Sequence, residues 1–217
     1  MPHPKGGYAL EDGTKVPGVT TVLGGLGWNK NQLMWWAWSQ GKDGLDFRST
    51  SQTAADIGTV AHAMVEADIN KQDIDLSGYP SEIVAAARPA FAAWRAWAEG
   101  ASCTIVATEA ELVSKEHRFG GCLDAVAFIG GKLQILDFKT SKAVYTDHIC
   151  QIAAYRQLWN ENRPSEQLEP GGYILRIGKD GGFAAHYYTQ EALDDGWMVF
   201  LHARELHDLR KRLEAWV

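Results

Sequence analysis

Cysteine is scarce in this 217-residue chain, and the three present, Cys103, Cys122 and Cys150, are an odd number at wide, irregular spacing. That excludes a disulfide framework, a zinc knuckle and a four-cysteine iron–sulfur site, and it predicts reduced, packed thiols. Long apolar runs are missing as well. Uninterrupted stretches such as 83–87 and 91–94 fall far short of the roughly 18 residues a membrane span needs, and the first seven residues hold no apolar leader segment. A cytoplasmic protein with no membrane partner is the expectation. Repeats, low-complexity tracts and linkers rich in Pro, Gly or Ser are absent, so residues 1–217 are expected to form one domain. An excess of basic residues is lacking too: 21 Lys and Arg face 27 Asp and Glu, for a formal charge of −6. Whole-molecule electrostatics therefore gives no hint of a polyanionic partner, although a local carboxylate cluster that holds a cation makes the average acidic whatever the partner.

What is present is a hydrophobic fraction of 46% against 22% charged residues, enough to bury a core. Residues 1–100 read as mainly helical: 31–40 carries Leu33, Trp35, Trp36 and Trp38, and 52–70 and 81–99 place apolar residues at helical spacing, the latter interrupted by Pro89. Ser81 is the candidate N-cap of that helix. The texture then changes. Segments 103–113, 122–129 and 132–138 are short and rich in Val, Ile, Leu and Phe, separated by glycine turns, and read as three antiparallel strands. Helical periodicity returns over 145–160. A further hairpin is expected from 172–177 and 183–188 around Lys179, Asp180, Gly181 and Gly182, and Thr189 is placed to cap a closing helix over 189–217. Residues 101–190 would hold the sheet and its helix. The fold class is α/β or α+β, with a sheet between helices.

The informative stretch runs from Glu109 to Tyr155. Period-2 alternation puts Asp137 and Lys139 on one strand face, about 6.5–7 Å apart, with Leu136 and Phe138 turned away. The Gly130-Gly131 turn folds the preceding strand back so that Asp124 meets Asp137 across the ladder. A third strand brings Glu109 and Glu111, which alternate with apolar Ala110 and Leu112; either is a candidate. Three acids and a lysine on adjacent strands are costly to bury without a cation. Oxygen donors suit Mg²⁺ or Mn²⁺, which keep waters and complete their shell with phosphate oxygen. Lys139 would hold or deprotonate an attacking water, so the chemistry indicated is metal-assisted phosphodiester hydrolysis.

Glu109; Gly121, Cys122, Leu123 and Asp124; Asp137, Phe138 and Lys139; and Gln151 through Tyr155 resemble, in order, the motifs of the PD-(D/E)XK nuclease superfamily, in particular RecB-type nucleases and small phage exonucleases. Upstream, Gly58 and His62 resemble that family's Gly-x-x-x-His helix motif, and residues 16–23 its N-terminal segment in phage members. The resemblance implies a central mixed sheet flanked by helices with an N-terminal helical elaboration. It implies that His62, Glu109, Asp124 and Asp137 bind metal, that Lys139 is the catalytic lysine, and that Gln151 and Tyr155 contact substrate and brace the site. It favours Glu109 over Glu111, and it implies an exonuclease acting on DNA in phage or prophage recombination, with ring-like self-association and a recombination or helicase partner. The cysteines do not match the iron–sulfur members, so no cluster is expected, and no Walker A motif is present.

Blander readings stand beside these. Asp137 and Lys139 alone would pass for a cross-strand ion pair on a solvated face, and His62 alone for a packed histidine. An endonuclease of the same fold, or a binding module whose acids are structural, are the alternative functions. Trp94, Trp97, Trp197 and Trp216 are expected to pack, leaving Trp35, Trp36 and Trp38 as candidates for stacking on bases. Arg210, Lys211 and Arg212 read as a mixed solvated face, and Lys115, His117 and Arg118 as better placed for backbone contacts.

Overall fold

The computed structural model describes residues 6–28, 30–44, 47–178 and 182–217; the expected turn at 179–181 lies outside them. Two short strands, β1 (Tyr8–Ala9) and β2 (Lys15–Val16), pair as a hairpin. Four helices follow: α1 (Val19–Gly24), α2 (Lys30–Lys42), α3 (Phe47–Asn70) and α4 (Ser81–Gly100). The chain then lays down β3 (Thr104–Ser114), β4 (Phe119–Ile129) and β5 (Lys132–Lys139) as an antiparallel meander. Helix α5 (Thr146–Asn162) carries it back so that β6 (Gly172–Ile177) pairs parallel to β5. Strand β7 (Phe183–Tyr188) closes the order β3-β4-β5-β6-β7, and α6 (Gln190–Glu214) ends the fold. This is a mixed five-stranded sheet flanked by helices.

The reason is burial on both faces. Phe119 through Ala127 of β4 and Gln134 through Phe138 of β5 are buried without a break, as strands covered on both sides must be. One face packs Leu123, Val126, Ile135 and Ile174 against α1, α5 and α6; the other packs Ala125, Leu136, Phe138 and Leu175 against α3 and α4. Among the described residues no helix is long and apolar enough to cross a membrane.

Three local expectations are corrected. Helix α4 runs unbroken through Pro89, because the proline is exposed while Ile83, Ala87, Ala90 and Trp94 form a continuous buried seam that outweighs one missing hydrogen bond. Its N-cap is Pro80 rather than Ser81, with no capping side chain. Trp216 is 87% exposed, since it lies past the end of α6, where every residue from Asp208 on is exposed, whereas Trp94 is buried. Thr189 does cap α6, accepting the Ala192 N–H at 3.4 Å.

Candidate active site

Asp124, Asp137 and Lys139 converge because β4 and β5 pair with Ala125 opposite Leu136, which sets the two aspartates across from each other one step further on. Asp124 Oδ2 accepts the Phe138 N–H at 2.7 Å, so the side chain is tied to the neighbouring backbone. Asp137 has no exposed surface; Lys139 Nζ lies 2.5 Å from its Oδ2, and its Oδ1 is buried without a hydrogen-bond partner. Burial, only partly opposed by the Lys139 ammonium, pushes Asp124 up to about 6. The same burial, with Asp124 adding repulsion, pushes Asp137 up to about 6. Burial works against the Lys139 ammonium as well, but the two carboxylates more than compensate, and its pKa sits above the usual lysine value. Above pH 6, then, two buried carboxylates share one ammonium, a group with a net negative charge and an orphaned oxygen.

Asp124 and Lys139 line an open cavity of roughly 530 Å³, whereas the fully buried Asp137 does not. His62, Glu109, Asp124, Lys139, Gln151 and Tyr155 all line it. Glu111 does not: it is exposed, opposite Cys122. What separates the two glutamates is backbone. Glu109 has φ +46°, and Ala107, Ala110 and Leu112 all pack toward α5, so strict alternation fails at this residue. A non-glycine residue in the left-handed region within a strand is strained, and such strain concentrates at functional positions.

Two glycines explain how helices reach the site. A methyl group on Gly58 would lie 2.8 Å from Thr140 Cβ, so its absence lets α3 press against the residue that follows Lys139. A methyl on Gly121 would lie 2.7 Å from Tyr155 Cε1, so β4 leaves room for that ring. Gln151 Nε2 donates to the Tyr155 hydroxyl at 2.9 Å across one helical turn, leaving the phenolic hydrogen available to another acceptor. Burial, reinforced by Asp137 and Asp124, pushes the phenol well above its ordinary value, so it stays neutral. His62 packs edge-on against Phe138, at 5.8 Å between centroids, and burial lowers its pKa. Its Nε2 is buried with no partner, including Glu66 one turn on.

Sequence reasoning missed Tyr8, Thr20 and Thr140, which also line the cavity. Tyr8 sits on a two-residue strand too short to show any periodicity. His148 was missed as well: its Nδ1 accepts the Tyr145 N–H at 3.2 Å at the start of α5. Lys115, His117 and Arg118 are absent from the cavity wall. Lys115 pairs with Glu11 at 2.8 Å, His117 lies edge-on to Trp197, and the Arg118 carbonyl accepts from Arg204 Nε. The three cysteines are free, and burial pushes each up to about 11, so none is a ready thiolate.

As a cation site, the group is of the right chemistry: hard oxygen donors, excess negative charge and an unsatisfied carboxylate oxygen. The four residues singled out from sequence are nevertheless not gathered into one ligand set, for no three of His, Cys, Asp and Glu among the described residues converge as a metal-binding group. Asp124 and Asp137 are the pair that fits, since Mg²⁺ is commonly held by one or two carboxylates with water and phosphate completing the shell. Glu109 and His62 stand on the cavity wall with Asp124.

A family model described as the PD-(D/E)XK nuclease superfamily matches residues 38–215. No protein of curated function matches the chain in sequence. Among solved structures, one titled "Crystal structure of SSO0001" is similar at 16% identity, covering 67% of this chain and 74% of its own, with a TM-score of 0.31, too loose a superposition to inform the site.

Proposed function

We propose that this chain, which belongs to the PD-(D/E)XK nuclease superfamily, is a Mg²⁺- or Mn²⁺-dependent deoxyribonuclease, acting as an exonuclease in phage or prophage recombination or DNA processing. The observation that carries the metal-dependent hydrolysis is the Asp124, Asp137 and Lys139 group, in which Asp124 and Lys139 line the cavity and the fully buried Asp137 keeps an unpartnered oxygen. Superfamily resemblance supports the words exonuclease and phage. Asp124 and Asp137 would hold the cation, and Glu109 and His62 are further candidates beside it. When bound, the cation would supply Lewis-acid charge against the scissile phosphate.

The chain's own residues then divide the work. Lys139 holds Asp137 and, as an ammonium with three donors, has hydrogens left for a phosphate oxygen or the attacking water. The two carboxylates beside it favour its ammonium form, which suits a charge-stabilising and orienting role. Tyr155, its oxygen engaged by Gln151, directs its hydrogen toward substrate. Glu109 is the carboxylate available to accept a proton from water. Ring-like self-association around DNA and a recombination or helicase partner belong to the same proposal, and light scattering with and without DNA tests the first.

The decisive assay digests end-labelled linear DNA and covalently closed circular DNA in Mg²⁺, Mn²⁺ and EDTA, with Asp137→Ala in parallel. Loss of linear DNA alone, abolished by EDTA and by the substitution, supports the exonuclease. Cutting of the circle makes it an endonuclease. Absence of cleavage by folded wild type, with DNA binding indifferent to chelation, makes it a binding module.

A further inference from the structure

Helix α2 carries a stripe of large apolar side chains that the fold does not cover. Met34, Trp35 and Trp38 are 69%, 67% and 62% exposed, and at i, i+1 and i+4 they share one side of the helix. Leu33 beside them and Trp28 just before the helix are exposed too. Two large indoles on the same surface are uncommon on a soluble protein without a ligand. Lys42, one turn after Trp38, holds its ammonium 5.6 Å from that ring's centroid.

The charge around this surface runs against the rest of the molecule. The chain holds 27 carboxylates and a net charge of −6, yet positions 13–42 contain no Asp or Glu and three lysines, Lys15, Lys30 and Lys42. Helix α2 has lysine at both ends and no acidic residue. A second copy docked through the same face would set its lysines against each other, and an apolar protein helix would need no such clearing of carboxylates. A polyanion with flat aromatic groups needs both halves of the arrangement, because bases stack on indole faces while phosphates seek cations and avoid carboxylates. The placement in the chain is also suitable. Helix α2 lies between α1 and α3, contacts α3, and both neighbours contribute residues to the cavity wall, Thr20 from one and Ala55, Gly58 and His62 from the other.

We propose that the Trp35 and Trp38 face of α2 is a stacking platform for unpaired bases, which makes single-stranded DNA the form of substrate this nuclease engages. The inference rests on the nuclease reading for its biological meaning but not for its measurement. Fluorescence anisotropy of a labelled 20-nucleotide oligo-dT and of a blunt duplex of equal length is read in EDTA, where nothing is cleaved. Wild type is compared with the double variant Trp35→Ala and Trp38→Ala, with Trp38→Ala alone, and with Trp38→Phe. The expected result is at least a tenfold loss of single-strand affinity in the double variant, a change below threefold for the duplex, and affinity largely kept by Trp38→Phe. Hydrolysis of bis(p-nitrophenyl) phosphate with Mn²⁺ is expected to be unchanged by all three. Should the double variant melt early, the Trp38→Ala and Trp38→Phe pair gives the same comparison. Equal strand affinity in wild type and the Ala variants overturns the platform, as does a wild type that binds no strand, or a fall in molecular mass with strand binding intact, which would make the face a contact between copies. Wild type inert toward every phosphodiester overturns the nuclease reading instead and leaves the platform result standing.

Discussion

Asp124→Asn should make the metal-free protein more stable at pH 8 while removing its activity. The Asp124 carboxylate is buried, and its pKa is pushed up from 3.8 to about 6 chiefly by burial. At about 1.4 kcal/mol for each tenfold change in proton affinity, that rise corresponds to roughly 3 kcal/mol. The sign follows from which form the fold prefers. A carboxyl that binds its proton more tightly folded than unfolded contributes stability fully present below the unfolded value near 4 and lost as pH rises through about 6. Wild type at pH 8 in EDTA therefore carries this burden, and asparagine does not. The substitution keeps the one hydrogen bond that holds the side chain, since the amide oxygen still accepts the Phe138 N–H. Lys139 keeps Asp137, so no new unpaired charge is created. Because Asp124, Asp137 and Lys139 are coupled, part of the gain is redistributed, leaving about 1–3 kcal/mol, or roughly 3–10 °C in Tm for a chain of this size. Circular dichroism melts of both proteins at pH 8 and pH 5 in EDTA, repeated with Mn²⁺, read this out. The difference should shrink at pH 5, and Mn²⁺ should raise wild type more than the variant. A variant that melts below wild type at pH 8, or an offset identical at the two pH values, would refute the reasoning.

Other predictions follow from particular contacts. Glu109→Gln should reduce DNA cleavage by about tenfold or more with little change in Tm, whereas Glu111→Gln, exposed and away from the cavity, should leave the rate within about twofold; equal effects would show that the strained φ of Glu109 has no functional meaning. Tyr155→Phe keeps the ring that packs beside Gly121 but removes the phenolic hydrogen that Gln151 leaves free, the one proposed to meet substrate, and should lower kcat by about tenfold with KM nearly constant in steady-state assays. Gly121→Ala drives a methyl group into that ring and should lower stability by about 1–3 kcal/mol in urea denaturation, with Tyr155→Ala in the same chain recovering part of the loss.

The site was legible in sequence wherever it depended on short-range geometry. Asp137 and Lys139 share a face because strands alternate, and Asp124 joins them because a two-residue turn fixes the register; both are local consequences of chain geometry. Gln151 and Tyr155 follow from one helical turn. The choice between Glu109 and Glu111 was not legible, because it depends on a left-handed residue that breaks alternation within β3, and nothing in the residue type signals that. Pro89 was misread as a break, since its tolerance depends on the helix face it occupies. Lys139 was open as a proton acceptor from residue type alone; two buried carboxylates around it favour the ammonium. The roles of Gly58 and Gly121 became clear only from what stands where a side chain would be, Thr140 in one case and Tyr155 in the other.

Whether the Asp124, Asp137 and Lys139 group performs cation-dependent phosphodiester cleavage is read from initial rates on linear DNA. Wild type and Lys139→Ala are compared over a Mg²⁺ titration, with EDTA as the zero point. No cleavage in EDTA, saturable activation of wild type, and a loss on the order of 10²-fold or more in Lys139→Ala at saturating Mg²⁺ are expected. Full activity in EDTA, or in folded Lys139→Ala, would contradict that role for the group.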